Sequence, residues 1–543
     1  MADAPDAPPP ASAPPAAPAT DLTIRATLRH RAFLALLVGG SVYFVGNAMQ
    51  AMATAWLMVE LTGSSFLAAL VQTAVFLPMF LLALPAGVLA DTTDRRRLIV
   101  VSLIVQAATV ALLAALVLAG WAGAATLLFL TFVAGCCTAL LSPPWNSTIV
   151  DVVPRHELPQ AITAVGISYN AARALGPAAA GWVFVAAGSG WVFVLAVAGV
   201  LALLEAVRRY PPRPHPPSRL PAERLWGGML SALRFARHSE TVLAQLVRTV
   251  AYSAAGSALW ALLPVIAQRQ LGLGAAGFGF LIGCMGAGAV LTGLVIARLR
   301  GWLGMERLVM AGCVLYAMAM LVTAYTRWAW LVYSVLLVAG GCWMAVMSTL
   351  NTATQTSVPP WVRARATAMH TLCALGSFAI GSAVWGALSD IVGLPAALTL
   401  AALGMAAGVL LVRPFPLRMG ALGEVTQVKT SENLFIVHEP DPEAGPVAVE
   451  IAYRIQPGAV DAFMEDVSLL RAPRRRDGAT FWRVYRDLSD PARFVERFIV
   501  TSWADYLHQR ARATLADQEI EARVRQHLLP GENTQIAHYV AER

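Results

Sequence analysis

Apolar residues occur along this chain in long runs that are separated by short polar loops. Most runs reach or exceed roughly 20 residues, the length of helix that crosses a hydrocarbon core of about 30 Å. Lipid offers the backbone no hydrogen-bond partner, so such runs must be helical. We predict twelve spanning helices, at residues 33–59, 65–89, 98–119, 124–142, 161–186, 190–208, 241–267, 274–298, 306–325, 328–349, 366–389 and 393–412.

Arginines cluster in the loops on one side of these helices. They precede the first helix and follow the even-numbered helices: Arg25, Arg29, Arg31, Arg95, Arg96, Arg97, Arg155, Arg208, Arg209, Arg213, Arg219, Arg224, Arg298, Arg300, Arg363, Arg365, Arg413 and Arg418. The other loops are short and nearly uncharged, with Glu60, Arg269, Arg327 and Asp390 as the main exceptions. Basic loops stay in the cytoplasm. We therefore expect a multi-pass protein of a bacterial cytoplasmic membrane with both termini inside.

The composition agrees with a membrane protein and argues against other classes. Of 543 residues, 57% are hydrophobic and 13% charged, and the mean hydropathy is +0.61, which is too apolar for a water-soluble enzyme. The net charge of +8 reflects arginines in loops, so we predict no nucleic-acid partner. The six cysteines lie in apolar runs without metal-ligand spacing, and we predict no metal, cofactor or structural disulfide.

An internal repeat divides the spanning region into two halves. Asn146 and Asn351 begin similar stretches 205 residues apart, NSTIVDVVPRHELPQA and NTATQTSVPPWVRARA. The same offset pairs Pro154 with Pro359, Ala161 with Ala366, Gly176 with Gly381, Gly181 with Gly386 and Arg95 with Arg300. Duplicated six-helix halves are a transporter plan in which the substrate path lies between the halves.

The predicted organisation has six parts. They are a disordered Pro/Ala-rich cytoplasmic tail (1–30), an N-terminal six-helix bundle (31–208), a cytoplasmic central loop (209–240), a C-terminal six-helix bundle (241–415), a linker (416–445) and a small soluble domain (446–543). In the last part, strand-like and helix-like segments alternate as β-α-β-β-α-β, the ferredoxin-like pattern.

The loop GVLADTTDRRRL, residues 87–98, resembles the signature loop of the major facilitator superfamily. Gly87, Asp91, Arg95 and Arg96 match it, whereas Thr92 stands where a basic residue is usual, and a glycine is usual at position 94. The stretches LTGSS, VPRHELPQA and NAARALGP are similar to the transmembrane secretion effector branch, to which enterobactin exporters belong. The resemblance covers about residues 30–415.

The resemblance implies an all-α membrane fold of twelve helices and a secondary active transporter that works by alternating access. The expected function is efflux of a small molecule, such as a siderophore, drug or secondary metabolite, with proton antiport. No P-loop is present, and no Asp or Glu lies in the middle of a predicted helix. Proton coupling therefore rests on the resemblance.

We interpret the signature loop as a cytoplasmic gate. Gly87 would allow close approach of two helices, and Asp91 would pair with an arginine or face the N-terminus of another helix. Arg95, Arg96 and Arg97 hold the loop in the cytoplasm. In the family such a cluster joins the two halves and releases them as the carrier changes state. For the arginines, an anchor that only sets topology remains an equal alternative.

Two further sets of residues are candidates within the helices. Gly176, Pro177 and Gly181 in helix five resemble a motif that the superfamily associates with export, although Ala180 stands where glycine is common; helix packing and kinking are the alternative. Polar residues at membrane depth are functional candidates by default. The candidate cavity residues are Asn47, Gln50, Gln72, Asn170, Arg173 and Arg248.

Arg173 and Arg248 together would form a cationic cavity for an anionic or catecholate-like substrate. The alternative is that these polar residues form hydrogen bonds between helices, and we favour that alternative for the amides.

The C-terminal domain loosely resembles ferredoxin-like antibiotic-biosynthesis monooxygenases. Its polar and aromatic residues, among them Trp482, Arg483, Glu496 and His508, form no recognisable nucleophile–base pair. We therefore expect no enzymatic activity and interpret the domain as a regulatory or dimerising module. The rival interpretation is a membrane-anchored sensor or monooxygenase-like enzyme whose C-terminal domain carries the activity.

Overall fold

The computed structural model describes residues 27–154, 157–210, 233–411, 417, 420–428 and 438–542. The predicted tail up to residue 26, most of the predicted central loop and much of the predicted linker lie outside this part of the chain. The same is true of seven arginines from the topology argument: Arg25, Arg155, Arg213, Arg219, Arg224, Arg413 and Arg418.

The described residues form twelve long helices, as predicted. They are α1 (Arg31–Thr62), α2 (Ser65–Thr92), α3 (Arg95–Leu118), α4 (Ala124–Val152), α5 (Leu158–Ala187), α6 (Ser189–Arg209), α7 (Glu240–Val265), α8 (Ala275–Leu303), α9 (Met305–Tyr325), α10 (Ala329–Thr356), α11 (Pro360–Val392) and α12 (Leu394–Leu411). Ten of them are long and apolar enough to span a membrane by themselves. The exceptions are α5, which carries several polar residues, and α12, whose apolar stretch Leu394–Leu410 is short.

Helices on the arginine-rich side extend beyond their apolar runs. α4 continues to Val152 and α10 to Thr356, while α11 begins at Pro360, about two to three turns outside the predicted limits. The backbone hydrogen bonds of a helix continue after its side chains become polar, whereas hydropathy marks only the part in hydrocarbon. Proline at the first position is compatible with the start of α11.

Two pairs of helices make the most extensive contacts between the two halves. α2 packs against α11, and α5 packs against α8. Within the N-terminal half, α1 packs against α5 and α6, and the equivalent helix α7 packs against α11 and α12. We call the side of the arginine-rich loops the basic side and the other the opposite side.

The C-terminal residues fold into a four-stranded antiparallel sheet with helices on one face. The elements follow as a short helix α13 (Leu422–Val425), β1 (Val447–Arg454), α14 (Val460–Leu469), α15 (Arg471–Asp477), β2 (Phe481–Arg486), β3 (Arg493–Val500), α16 (Trp503–Ala511), α17 (Leu515–Gln526) and β4 (Gln535–Val540). The strand order is β2-β3-β1-β4, with Val447 opposite both Val500 and Val540. This is the predicted β-α-β-β-α-β pattern, with each helical segment split into two helices.

Alternation along the strands places one face of this sheet in a core. Val449 and Ile451 of β1 and Phe498 of β3 are buried against Phe463 and Trp503 from the helices. The domain thus has a hydrophobic core of its own.

Candidate functional site

On the opposite side, an aspartate of one half caps a helix of the other half. Asp390, in the last turn of α11, accepts hydrogen bonds from the Ser64 hydroxyl (2.8 Å) and from the backbone N–H groups of Ser65 (2.9 Å) and Phe66 (3.1 Å). These N–H groups belong to the first turn of α2, where a helix lacks internal acceptors and carries partial positive charge. Asp390 therefore joins the halves at this side.

Close backbone contacts reinforce the closure at both pairs of helices. A Cβ built on Gly181 of α5 would lie 2.7 Å from the carbonyl oxygen of Ala275 at the start of α8. A Cβ on Gly386 of α11 would overlap the side chain of Ala69 near the start of α2. Because Gly181 and Gly386 are partners in the 205-residue repeat, the two contacts are equivalent in the two halves.

Two further contacts close the opposite side. The Trp56 ring of α1 stacks on the Phe278 ring of α8 at 5.6 Å. The Arg269 guanidinium, just after α7, donates to the carbonyl oxygen of Gly63, the residue after α1. The halves therefore meet along the opposite side.

Toward the basic side, the same helices move apart. A Cβ built on Gly87 of α2, Gly166 of α5 or Gly301 of α8 would meet no described atom within 4 Å, and Leu294 of α8 is 79% exposed. Among the described residues, no helix makes the close approach to Gly87 that we expected. The space between the halves opens toward the basic side.

Arg173 lies against an aromatic cluster between the halves. Its guanidinium carbon is 5.7 Å from the centroid of the Trp260 ring of α7, so α5 meets the other half here. Trp260 contacts Trp343 of α10 at 6.2 Å, and Trp343 contacts Phe378 of α11 at 5.7 Å. Phe76 of α2 completes the cluster, 5.0 Å from Phe378.

Arg173 is exposed, and within the described part of the chain no carboxylate oxygen lies within 4 Å of its guanidinium. Attraction between a cation and an aromatic face is strongest when water is excluded. The site therefore combines an exposed positive charge with planar apolar surfaces.

Arg248, the second predicted cavity arginine, lies elsewhere. It is buried and pairs with Glu306 at the start of α9, with 2.9 Å between nitrogen and oxygen. Glu306 also accepts the backbone N–H of Leu417 at 2.6 Å. Arg248 and Trp260 are 12 positions apart on α7, which is about 18 Å along a helix. The structure thus does not bring Arg173 and Arg248 into one cavity, and a void of about 30 Å³ adjoins Arg248.

The predicted amides occupy different environments. Asn47 accepts a hydrogen bond from the Gln106 amide at 3.1 Å, and Gln106 also accepts from the Tyr43 hydroxyl, so Asn47 joins α1 to α3 within one half. Asn170 donates to the carbonyl oxygen of Gly166 in its own helix. Gln50 is buried in α1, and Gln72 is half-buried in α2.

The helix-five residues pack tightly against neighbouring helices. A Cβ on Gly176 would lie 2.7 Å from that of Ala48 in α1, and Gly279 of α8 approaches the carbonyl of Pro177. Together with Gly181, these residues let α5 approach α1 and α8 closely. A role in export remains a prediction.

The signature loop is ordered by a residue that departs from the family pattern. Asp94 is the N-cap of α3 and accepts the backbone N–H of Arg97 at 2.8 Å. Arg96 donates to the carbonyl oxygen of Arg208 at the end of α6, at 3.5 Å. Arg95 begins α3. Asp91 belongs to the last turn of α2, but its side chain lies outside the described part.

Both carboxylate oxygens of Glu496 in the C-terminal domain accept hydrogen bonds. It is fully buried in β3 and accepts from Tyr453 (2.8 Å), Arg474 (3.1 Å) and Trp482 (2.9 Å). Burial lowers the pKa of Arg474, but the carboxylates of Glu496 and Glu521 outweigh burial and raise that pKa above its ordinary value. This network joins β1, β2, β3 and α15 through one buried carboxylate and stabilises the fold.

The domain contacts the C-terminal half at the basic side. The Arg512 guanidinium carbon lies 4.3 Å from the ring centroid of Trp361 at the start of α11. Arg234, in a helical stretch before α7, donates to the carbonyl oxygen of Gly478 at 3.0 Å. Arg476 lies 5.7 Å from the ring centroid of Phe235. Burial lowers the pKa of Arg512.

Sequence reasoning missed the aromatic cluster and the role of Asp390. Trp260, Trp343 and Phe378 lie in apolar runs, where aromatic residues are common and give no signal by themselves. Asp390 did carry a signal, because it is one of the few charges in the otherwise uncharged loops, but it was noted only as an exception. Its capping role depends on the contact of α11 with α2.

Residues 23–543 match the family described as transmembrane secretion effector. The chain belongs to this family. The match to the secretion effectors extends through the C-terminal domain, so the expected limit near residue 415 was too short. No curated protein matches the chain significantly.

Solved transporters share the fold of this chain at low sequence identity. A nucleoside transporter NupG variant is 13% identical with a TM-score of 0.59, over 71% of this chain and 100% of that chain. A POT family transporter in complex with 5-aminolevulinic acid is 12% identical with a TM-score of 0.58, over 73% and 99%.

A bacterial homolog of the human lysosomal transporter Spinster, inward-facing and unoccupied, is 15% identical with a TM-score of 0.53, over 72% and 95%. The chain therefore has the major facilitator transporter fold, with two six-helix halves.

Proposed function

We propose that this protein exports a small organic anion by alternating access. The observation that carries the proposal is the asymmetry between its two sides: the halves are joined at the opposite side through Asp390 and separate toward the basic side. A carrier that opens to one side at a time requires such an arrangement and its reverse. The basic side is taken as cytoplasmic, with both termini inside.

The antiparallel pair α2 and α11 supplies a mechanism for reversal. Asp390 is in the last turn of α11, beside the start of α2. Asp91 is in the last turn of α2, and α11 begins on the same side. When the basic side closes, Asp91 caps the start of α11 and Asp390 releases α2. Each state then has one capped helix end, so neither is favoured by capping alone.

The substrate class follows from Arg173 and its neighbours. An organic anion with a planar or aromatic part would pair with the guanidinium and pack against Trp260 and Trp343. Desolvating Arg173 without an anion is costly, so an occupied site favours closure of the basic side. Arg248 is assigned a structural role by its ion pair with Glu306.

Export and proton antiport are proposed from the family. The name of the family refers to secretion, and the Gly176-Pro177 segment resembles the export motif. The structural neighbours include nucleoside and peptide transporters, so the fold alone does not fix direction. His370, buried in α11 and hydrogen-bonded to Thr249 at 3.1 Å, is a titratable group within the spanning region that we would test for coupling.

Transport by full-length protein in liposomes tests this function. Vesicles with an imposed pH gradient are loaded with a panel of aromatic organic anions and matched neutral analogues. We expect gradient-dependent flux of at least one anion, at least tenfold reduced in Arg173→Gln because a charged pair is lost. Arg209→Gln serves as a control that changes charge outside the site, because Arg209 pairs with Glu205 of its own helix. Equal flux of anions and neutral analogues would contradict the substrate class, and no flux of any compound would contradict transport.

A further inference from the structure

A cleft rich in arginine lies on the basic side of the N-terminal half, where the start of α3 meets the end of α6. Asp94, Arg96, Arg97, Val100 and Arg208 line this cleft of about 510 Å³. Asp94 is occupied in capping α3. Within the described part of the chain, no carboxylate lies within 4 Å of the three guanidinium groups. The cleft is therefore strongly cationic.

An exposed apolar strip continues from the cleft along the outer surface of α3. Val101 (50% exposed), Ile104 (45%) and Leu112 (51%) follow Arg97 at helical spacing. Leu201 (47%), two turns before Arg208, extends the strip onto α6, which packs against α3. From Val101 to Leu112 the strip is about 16 Å long, close to half of the hydrocarbon thickness of about 30 Å.

We propose that this cleft binds the phosphate of an anionic phospholipid whose acyl chains lie along the strip. Guanidinium groups donate paired hydrogen bonds to phosphate oxygens, and basic clusters at the membrane surface attract anionic headgroups. A free phosphate ion has the same oxygen acceptors as the headgroup, but it gains no binding energy from an apolar surface. The adjoining strip therefore favours a lipid.

Such a lipid restrains the gating loop. Arg96 and Arg97 belong to the signature stretch 87–98 and lie in the first turn of α3, whereas Arg208 lies in the last turn of α6. A phosphate held by all three ties the loop to the membrane surface and to its own half. This site does not depend on the direction of transport or on the substrate.

Lipid retention by the full-length protein in native mass spectrometry tests the proposal. Detergent-solubilised protein is mixed with equal amounts of phosphatidylglycerol and phosphatidylcholine. Wild type is expected to retain phosphatidylglycerol preferentially, and the double variant Arg96→Gln/Arg208→Gln to retain about tenfold less or lower. Arg209→Gln is the matched control, because Arg209 is the next residue but pairs with Glu205 of its own helix at 2.7 Å; its retention should equal that of wild type.

Two outcomes overturn the proposal. One is equal retention by wild type and the double variant; the other is displacement of the lipid by inorganic phosphate at the same molar concentration, which would identify a site for free anions. If the double variant does not fold, Arg208→Lys and Arg208→Gln are compared. The lysine variant keeps the charge and should retain more phosphatidylglycerol than the glutamine variant, and equal retention by the two rejects the site.

Discussion

Replacing Asp390 with alanine should shift the protein toward a state that is open on the opposite side. The substitution removes three hydrogen bonds between the halves, two of them from the first turn of α2. Loss of a capping side chain costs about 1 kcal/mol, and loss of a negative charge at a helix N-terminus costs about 0.3–1 kcal/mol. Asp390 is exposed, and Ser64 still caps Leu67, so we expect the low end, about 1 kcal/mol.

A change of about 1 kcal/mol corresponds to about a fivefold shift in the ratio of the two states. Pulsed electron–electron resonance between spin labels at Trp121 and Trp328 measures this ratio. Both residues are highly exposed in opposite-side loops, one in each half. The population at the longer label distance should rise in Asp390→Ala relative to wild type without substrate.

A matched control separates the loss of the Asp390 hydrogen bonds from a general loss of negative charge. Glu60 is also acidic and near the same surface, but it accepts a hydrogen bond from Trp56 of its own helix. Glu60→Gln should therefore leave the label distances unchanged. If Asp390→Ala gives the wild-type distance distribution, or if Glu60→Gln gives the same shift, Asp390 does not hold the halves together and the reasoning is refuted.

Three further predictions concern packing, pairing and pH. Gly386→Val should hinder closure of the opposite side, because the valine side chain would overlap α2. Gly404→Ala is the control and should leave transport unchanged, because a Cβ at Gly404 meets no described atom within 4 Å. Flux in liposomes measures the effect of both variants. Arg248→Met should lower the melting temperature, because Glu306 loses the buried guanidinium with which it pairs. Substrate preference should be unchanged. Burial lowers the pKa of His538, which is hydrogen-bonded to Tyr506. On acidification, this histidine therefore takes up its proton at a higher pH in the unfolded chain than in the folded domain. The stability of the C-terminal domain is full above about pH 6.5 and falls below it. Hydrogen exchange of the full-length protein measures this stability, and His538→Gln should reduce its pH dependence.

The helices were predictable because hydrocarbon thickness imposes their length. Their ends were not, because a helix such as α10 continues in water after its apolar run has ended. The repeat also corresponds to equivalent contacts in the structure: Gly181 packs against the start of α8, and Gly386 packs against the start of α2. A duplicated sequence preserves the spacing at which helices approach.

The candidate site was predictable only in part, because polarity does not reveal a partner. Arg173 and Arg248 look alike in sequence, since each is an arginine in an apolar run. The structure distinguishes them through Trp260 and Glu306, which come from other helices. Gly87 shows a different limit. The contacts of Gly87 depend on the conformational state, and one sequence must be compatible with every state that the protein adopts.

The attachment of the C-terminal domain has a mechanical consequence. Arg512 contacts Trp361 at the start of α11, and Arg476 contacts Phe235 just before α7. The domain is therefore attached to one half, and we expect it to move with that half during transport. A partner bound to the domain thus adds bulk to one moving body and leaves the other untouched. A fluorophore on the domain would likewise report the swing of that body from outside the bilayer.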